Sequence, residues 1–308
     1  MTTLSGRALH SGALSTVTFT PRREDGLGIR FLFPGFDAPL TARDLTTLTR
    51  SARRATRLTH PETGAVIRTP EHLLAAALFF AEAPIDITCD AAELPGLDGS
   101  AASYYGVLNA LCIDREFSAA RVREYETDLH WNHDGPEGSI RAMPHPHFAV
   151  DYRWTSGEVH QHFELSSVLD APQAVLPART FILLEDWMRL AGAHDLLAGA
   201  DLDSGLLIAA SAAQFIEGKA KLPWACGTTF PLLHPQRFRL EGELARHKVL
   251  DLLGDLALNR LALPRLRLTI VNGGHALNHL LLDALQKHGS GPADTPHQGS
   301  RRSEGTAS

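Results

Sequence analysis

The stretch Glu243-Leu244-Ala245-Arg246-His247-Lys248-Val249-Leu250-Asp251-Leu252-Leu253-Gly254-Asp255 sets imidazole and carboxylate groups at helical spacing inside an otherwise apolar run. His247 and Asp251 stand i, i+4 apart and Asp255 lies one turn further on. All three therefore share one helix face, and two of them could grip one divalent cation. The same spacing also serves a solvated polar face with an i, i+4 His/Asp pair. A partner elsewhere in the chain is needed to separate the two.

Thr69-Pro70-Glu71-His72-Leu73-Leu74-Ala75-Ala76-Ala77-Leu78 offers such a partner. Thr69 is expected to cap a helix that begins at Pro70 and continues through good helix formers, which puts Glu71 and His72 in the first turn. A histidine there can bind metal as neutral imidazole while the adjacent carboxylate handles a water beside it. An acidic first-turn residue is equally ordinary compensation of the helix dipole. A third element, Val271-Asn272-Gly273-Gly274-His275-Ala276-Leu277-Asn278-His279, brings a strand tightly into a helix. It leaves His275 at the junction, as a catalytic group or a helix-end hydrogen bonder. The three elements supply complementary chemistry and together point to a metal-dependent hydrolase.

Six blocks in one order along the chain carry a resemblance to a known family. They are Gly6-Arg7-Ala8-Leu9-His10-Ser11-Gly12, Thr69-Pro70-Glu71-His72-Leu73, Glu93-Leu94-Pro95-Gly96-Leu97-Asp98-Gly99-Ser100-Ala101, Ala178-Arg179-Thr180-Phe181, the His247 helix, and Gly274-His275-Ala276-Leu277-Asn278. Through most of its length the chain resembles the zinc-dependent UDP-3-O-acyl-N-acetylglucosamine deacetylases of lipid A biosynthesis. The resemblance implies an α+β fold of two similarly built domains, each a layered β-sheet with packed helices, with the active site between them. It implies that His72, His247 and Asp251 bind Zn2+ with a position left open for water, and that Glu71 is the general base. Thr180 and a protonated His275 would stabilise the oxyanion, His275 would protonate the departing amine, and Asp255 would hold His275 cationic. Lys248 would reach the sugar or diphosphate end of a UDP-linked acylated amino sugar. His10 would be structural or at the substrate.

The segment from Phe181 to Ala200 corresponds to the family's acyl-chain passage, with Phe181 at the substrate. Apolar residues at Ile182, Leu183, Leu184, Trp187, Met188 and Leu190 suit an amphipathic helix, with plain core packing as the alternative. Departures from the family pattern fall around substrate binding. Asn272-Gly273-Gly274-His275-Ala276 stands where the family has Lys-Ser-Gly-His-Ala, so a cation near the diphosphate is missing. Gly242 replaces an acidic residue before Glu243, and the stretch from Ala209 to Arg239 is longer than the family connection. Deacetylation is therefore better specified than the substrate. A zinc deacetylase of another N-acetylated sugar or metabolite, and a non-catalytic relative that binds a sugar nucleotide or lipid, remain alternatives. Keeping both base and ligands favours the enzyme.

A chain of 308 residues with 44% hydrophobic content can bury a substantial core in two domains. A formal net charge of -6 and the lack of a basic cluster argue against a nucleic-acid partner. Cys89, Cys112 and Cys226 are scattered and odd in number, which fits a reduced cytoplasm better than a disulfide framework. No window has the length of a membrane span and no signal segment opens the chain, so stable membrane insertion is not expected. The protein is expected to be a monomer.

Strands are expected within Leu14 to Phe33 on either side of the charged turn Arg22-Arg23-Glu24-Asp25-Gly26, and again at Ile85 to Cys89. Ser100 opens a second helix to Leu111. A second round follows from Phe117, with strands to Ile140, at Phe148 to Trp154 and at Val159 to Leu165. Helices then start near Leu183 and Glu241, and a strand at Leu266 to Val271 leads into a last helix. The domains are drawn at residues 1–116 and 117–287, and the apolar-poor residues 288–308 are expected to be disordered. His145-Pro146-His147 and His160-Gln161-His162 have strand spacing that admits a second metal site, although exposed strand histidines explain them more simply.

Overall fold

Alternation in Leu14-Ser15-Thr16-Val17-Thr18-Phe19 buries Ser15, Val17 and Phe19 on one face, so this segment must lie as a strand over the core. In the computed structural model, which describes residues 1–22, 28–52, 55–114, 121–136, 138–190, 198–199, 201, 203–222, 224 and 227–292, it does. The first half contains β1 (Thr2–Arg7), β2 (Leu14–Pro21), β3 (Arg30–Leu32) and β4 (Leu40–Thr41). A small antiparallel sheet of β5 (Thr49–Ala52), β6 (Thr56–Thr59) and β7 (Val66–Arg68) follows, then α1 (Glu71–Ala77), β8 (Ile85–Cys89) and α2 (Ala102–Asp114). The second half contains β9 (Arg123–Tyr125), β10 (Trp131–Gly135), β11 (Gly138–Pro144), β12 (Ala149–Ser156) and β13 (Val159–Leu165). After these come α3 (Ala171–Ala174), β14 (Phe181–Leu183), α4 (Leu184–Leu190), β15 (Leu206–Ile208) and α5 (Ala212–Lys221). The chain then forms α6 (Glu243–Leu256), β16 (Ala262–Pro264), β17 (Leu266–Val271) and α7 (His275–Lys287).

The two main sheets share one topology. Their strand orders are β1-β2-β8-β3-β4 and β10-β11-β17-β12-β13. In each, the central strand comes last in sequence and runs antiparallel to one neighbour and parallel to the other: β8 to β2 and β3, β17 to β11 and β12. Each half inserts extra elements at the same point, between its fourth sheet strand and the helix that precedes the central strand. The fold is α+β with two similarly built halves. The 116/117 boundary, residues 23–26 of the charged turn and residues 293–308 lie outside the described residues. His288 to Pro292 lie against the second half, where the Ser290 hydroxyl is 2.7 Å from that of Thr127.

Helices fill the space between the sheets. α2 packs on β1 and β2, α6 on β12 and β13, and α1 lies between α2 and α6. One apolar core runs through both halves, from Val17 and Phe19 to Leu281 and Leu285. Burying such area at about 25 cal/mol per Å² is the main force holding the halves together.

The start of α6 is anchored by a buried ion pair. Arg179 is bidentate on Glu243, Nε to Oε1 at 2.7 Å and Nη2 to Oε2 at 3.1 Å, with side-chain exposures of 2% and 0%. Its remaining donors go to Gln236 Oε1 and the Arg237 carbonyl, and Glu243 Oε2 also accepts from Arg239 N–H. Every charge in this cluster is hydrogen-bonded, the condition under which a buried pair holds structure. Arg179→Leu leaves the Glu243 carboxylate buried without its cation. It should cost about 3–5 kcal/mol, read as a lower urea midpoint, and an unchanged midpoint would contradict the anchoring role.

Candidate functional site

Neither helix that bears the expected ligands starts with a side-chain cap of its own. Thr69 does not cap α1: it has φ 53°, in the left-handed region, and its hydroxyl donates to the Arg68 carbonyl at 2.8 Å. Its backbone N–H is instead held by the Thr56 carbonyl at 3.0 Å. α6 starts after Gly242, whose φ of 65° suits glycine and accounts for the departure at that position. Its free N–H groups at Leu244 and Ala245 point to Gln161 Oε1 of β13, at 2.8 and 3.3 Å. The two helices meet at Gly254, where a β-carbon would come within 2.0 Å of the Glu71 carbonyl oxygen.

This contact brings His72 of α1 beside His247 and Asp251 of α6. Asp251 Oδ1 is 3.4 Å from His247 Nε2 and 3.7 Å from His72 Nε2, and one ligand atom from each residue lies within 4.8 Å of the others. It is the one such group among the described residues. His247 Nδ1 donates to the Ala178 carbonyl at 3.1 Å, which fixes the tautomer and turns the Nε2 lone pair toward Asp251. Burial lowers the His247 pKa to about 3, so the ring is neutral. Burial opposes ionisation of Asp251, yet the neighbouring His247, Lys248 and His275 hold it well below the usual carboxylate range. A neutral imidazole lone pair facing a carboxylate at this distance is an unfavourable pairing that a divalent cation relieves, so the donor set fits a metal.

The other expected residues surround this group in one cleft. Glu71, Lys248 and His275 line it, with His10, Thr180 and Phe181 on its walls. Glu71 Oε1 is 3.7 Å from His275 Nε2, while Glu71 Oε2 is buried without a hydrogen-bond partner. Burial pushes the Glu71 carboxyl up, against the pull of His275. Burial would lower the His275 pKa, but Asp255, 2.8 Å from its Nδ1, and Asp251 raise it to about 10. Lys248 Nζ rests on Asp251 Oδ2 at 2.9 Å and 5.2 Å from the Phe181 ring centre. Lys248 is the one lysine or arginine among the described residues lining the cleft. His10 and Ser11 donate their backbone N–H groups to the two oxygens of Glu93, at 2.8 and 2.9 Å, which pins the His10 loop.

A second, mainly apolar cavity of about 340 Å³ shares Leu9, Thr180, Phe181 and Ser204 with the cleft. The expected amphipathic helix starts later than its sequence suggests. Phe181, Ile182 and Leu183 form β14, paired in parallel with β15, and among the described residues of the segment Leu184–Leu190 is helical. Ile182 and Trp187 line the cavity with Leu206, Leu207 and Trp224, whereas Leu184 belongs to the core and Met188 is exposed. Residues 191–197 and 200 of the segment lie outside the described residues.

The paired histidines do not form a second centre among the described residues. His145 and His147 lie in a bend after β11 rather than in a strand, and His147 pairs with Glu124. His162 pairs with Asp151 on the exposed face of β13. Asn272 has φ 53° and is bound to Thr155, its Oδ1 accepting the Thr155 N–H at 2.7 Å, so it closes a sheet end rather than the cleft. Sequence reading missed Gly254, Gln161, Glu93 and Thr56. Each acts on a residue far along the chain; Gly254, Gln161 and Glu93 stand inside stretches noticed for their neighbours, and Thr56 stands in none.

The family model described as "LpxC: UDP-3-O-acyl N-acetylglycosamine deacetylase" matches residues 1–222 and 225–287. The chain is 29% identical to the UDP-3-O-acyl-N-acetylglucosamine deacetylase of Nitratidesulfovibrio vulgaris, covering 93% of this chain and 85% of that protein. It is 31% identical to the enzyme of that name from an Anaeromyxobacter species, covering 90% and 84%. It is also 27% identical to the bifunctional enzyme LpxC/FabZ of Porphyromonas gingivalis, covering 92% of this chain and 62% of that protein.

The convergence of three ligand atoms gives a direct expectation. Protein purified with its metal should lose it when His72→Ala and His247→Ala are combined, as measured by elemental analysis after dialysis. Full retention would place the metal elsewhere.

Proposed function

Because the chain belongs to the UDP-3-O-acyl N-acetylglycosamine deacetylase family, we infer that its cleft removes the N-acetyl group of UDP-3-O-acyl-N-acetylglucosamine, releasing acetate, in lipid A biosynthesis. The observation that supports this most is the meeting, in one cleft, of the His72/His247/Asp251 group with an unpaired Glu71 oxygen and, across from it, His275. A binding protein has no use for that combination.

His72, His247 and Asp251 would hold the metal, and their two-nitrogen, one-oxygen set favours zinc, which when bound polarises a carbonyl and acidifies water. Glu71 acts as general base: its raised pKa makes it a better proton acceptor near neutral pH than an ordinary carboxylate. It takes the proton of the water that attacks the amide carbonyl. His275, held cationic by Asp255, donates its Nε2 proton to the leaving amine nitrogen. The Thr180 hydroxyl and the His275 imidazolium stabilise the negative charge that develops on the carbonyl oxygen.

Lys248 reaches the diphosphate, and Phe181 with His10 frames the sugar. The adjoining apolar cavity takes the acyl chain, which gains about 0.8 kcal/mol per buried CH₂. Among the described residues no helix is long and apolar enough to cross a membrane. A cytoplasmic monomer is part of the same proposal. Buried, unpaired Cys89 and Cys112 agree with a reducing compartment.

The substrate is tested by comparing kcat/KM for the UDP-linked 3-O-acyl sugar with that for the same sugar lacking UDP. The UDP-linked compound should be strongly preferred. Preference for the sugar without UDP would leave a deacetylase of another amino sugar.

Two variants separate the proton transfers. Glu71→Gln should keep metal and KM but lower kcat by about 10²–10⁴. A wild-type kcat would remove the base. Asp255→Asn acts on the alkaline limb. With a pKa raised to about 10, His275 stays cationic through neutrality and loses its proton as pH rises through that value. Without Asp255 the limb should move to lower pH, and an unmoved limb would contradict the role of the carboxylate.

A further inference from the structure

We infer that Thr56 is a positioning residue of this reaction, fixing the Asp255 carboxylate, and through it His275, from the opposite half of the molecule. The inference rests on the deacetylase reading above. Asp255 is fully buried, and its two oxygens are held from different directions. Oδ2 accepts from His275 Nδ1 and Asn278 Nδ2, each at 2.8 Å and each from α7. Oδ1 accepts from the Thr56 hydroxyl of β6 at 2.5 Å. With its proton on Asp255, that hydroxyl offers its lone pairs to His279 Nε2 at 3.1 Å. The donors therefore run in one direction, His279 to Thr56 to Asp255.

Turning the carboxylate about its own bond would break one of these two sets. Without the hydroxyl, Oδ1 keeps only His279 Nε2 at 3.6 Å, beyond hydrogen-bond range. The carboxylate is then free to turn, and the His275 ring that it orients turns with it. The other end of Thr56 is equally engaged. Its carbonyl holds the Thr69 N–H at 3.0 Å, immediately before Pro70, Glu71 and His72. One residue thus links the acid side of the cleft to the base and to one metal ligand. Thr56 itself is buried and does not line the cleft, so it acts on the chemical step rather than on substrate binding.

The test compares Thr56→Val, which loses the hydroxyl at similar volume, with Thr56→Ser, which keeps it, both in the metal-loaded protein. Thr56→Val should lower kcat about ten- to hundredfold, the scale of one hydrogen bond to a charged group. KM and bound metal should be unchanged, and Thr56→Ser should recover most of the rate. Wild-type kcat in Thr56→Val, or equal impairment in both variants, would overturn the inference. Should Thr56→Val fail to fold, His279→Leu decides: a lower kcat at constant KM supports the relay, and an unchanged kcat overturns it. The wild-type rate tests the deacetylase reading separately. If wild type releases no acetate, the downfield His275 Nδ1–H proton resonance reads the geometry alone. It should persist in Thr56→Ser and be lost or moved in Thr56→Val, and identical spectra in both would overturn the inference.

Discussion

The backbone contact between Gly254 and Glu71 sets the distance between the two halves at the place where chemistry is possible. A β-carbon at residue 254 would come 2.0 Å from the Glu71 carbonyl oxygen, so only glycine lets α1 and α6 lie this close. His72 follows Glu71 on one helix, and Asp251 and His247 precede Gly254 by one and two turns on the other. Metal ligation tolerates errors of about 0.2 Å in each bond, so the ligand geometry depends on the helix separation. The Arg179–Glu243 pair fixes the other end of α6 and places Ala178, whose carbonyl orients His247.

Around that contact, neighbouring groups are pushed into opposite protonation states by different causes. His247 is neutral because it is buried, with its Nδ1 proton given to a backbone carbonyl. His275 is equally buried but cationic, because Asp255 and Asp251 outweigh desolvation. Asp251 is ionised beside Lys248, whereas Glu71 is raised by burial. The proposed ligand, base and acid are thus separated by environment rather than by residue type.

Much of this was legible in the sequence, because the ligand-bearing helices and the strands from Val159 to Leu165 and from Leu266 to Val271 have strong periodicity and clear punctuation. The cluster of His72, His247 and Asp251 followed from six blocks of family resemblance, and the spacing of His247 and Asp251 alone left a solvated face open. What sequence could not supply were the tertiary partners. Thr69 looked like a cap, but its N–H is claimed by Thr56, and the left-handed backbone turns its hydroxyl away from the helix. Ile182 and Leu183 fitted a helical stripe, but pairing with Leu207 and Ile208 makes them a strand. Thr56 and Asp255 are 199 residues apart, and nothing local marks either as the other's partner. Asn272 looked like a lost phosphate contact, but its side chain closes the sheet end at Thr155.

The central claim is that residues from both halves meet on one metal ion. An anomalous difference map at the zinc absorption edge, from crystals of the metal-loaded protein, tests it most directly. A single peak should lie between His72 Nε2, His247 Nε2 and Asp251, with nitrogen distances of about 2.0–2.1 Å. A peak bound by residues of one half alone, or lying away from the cleft, would contradict the account.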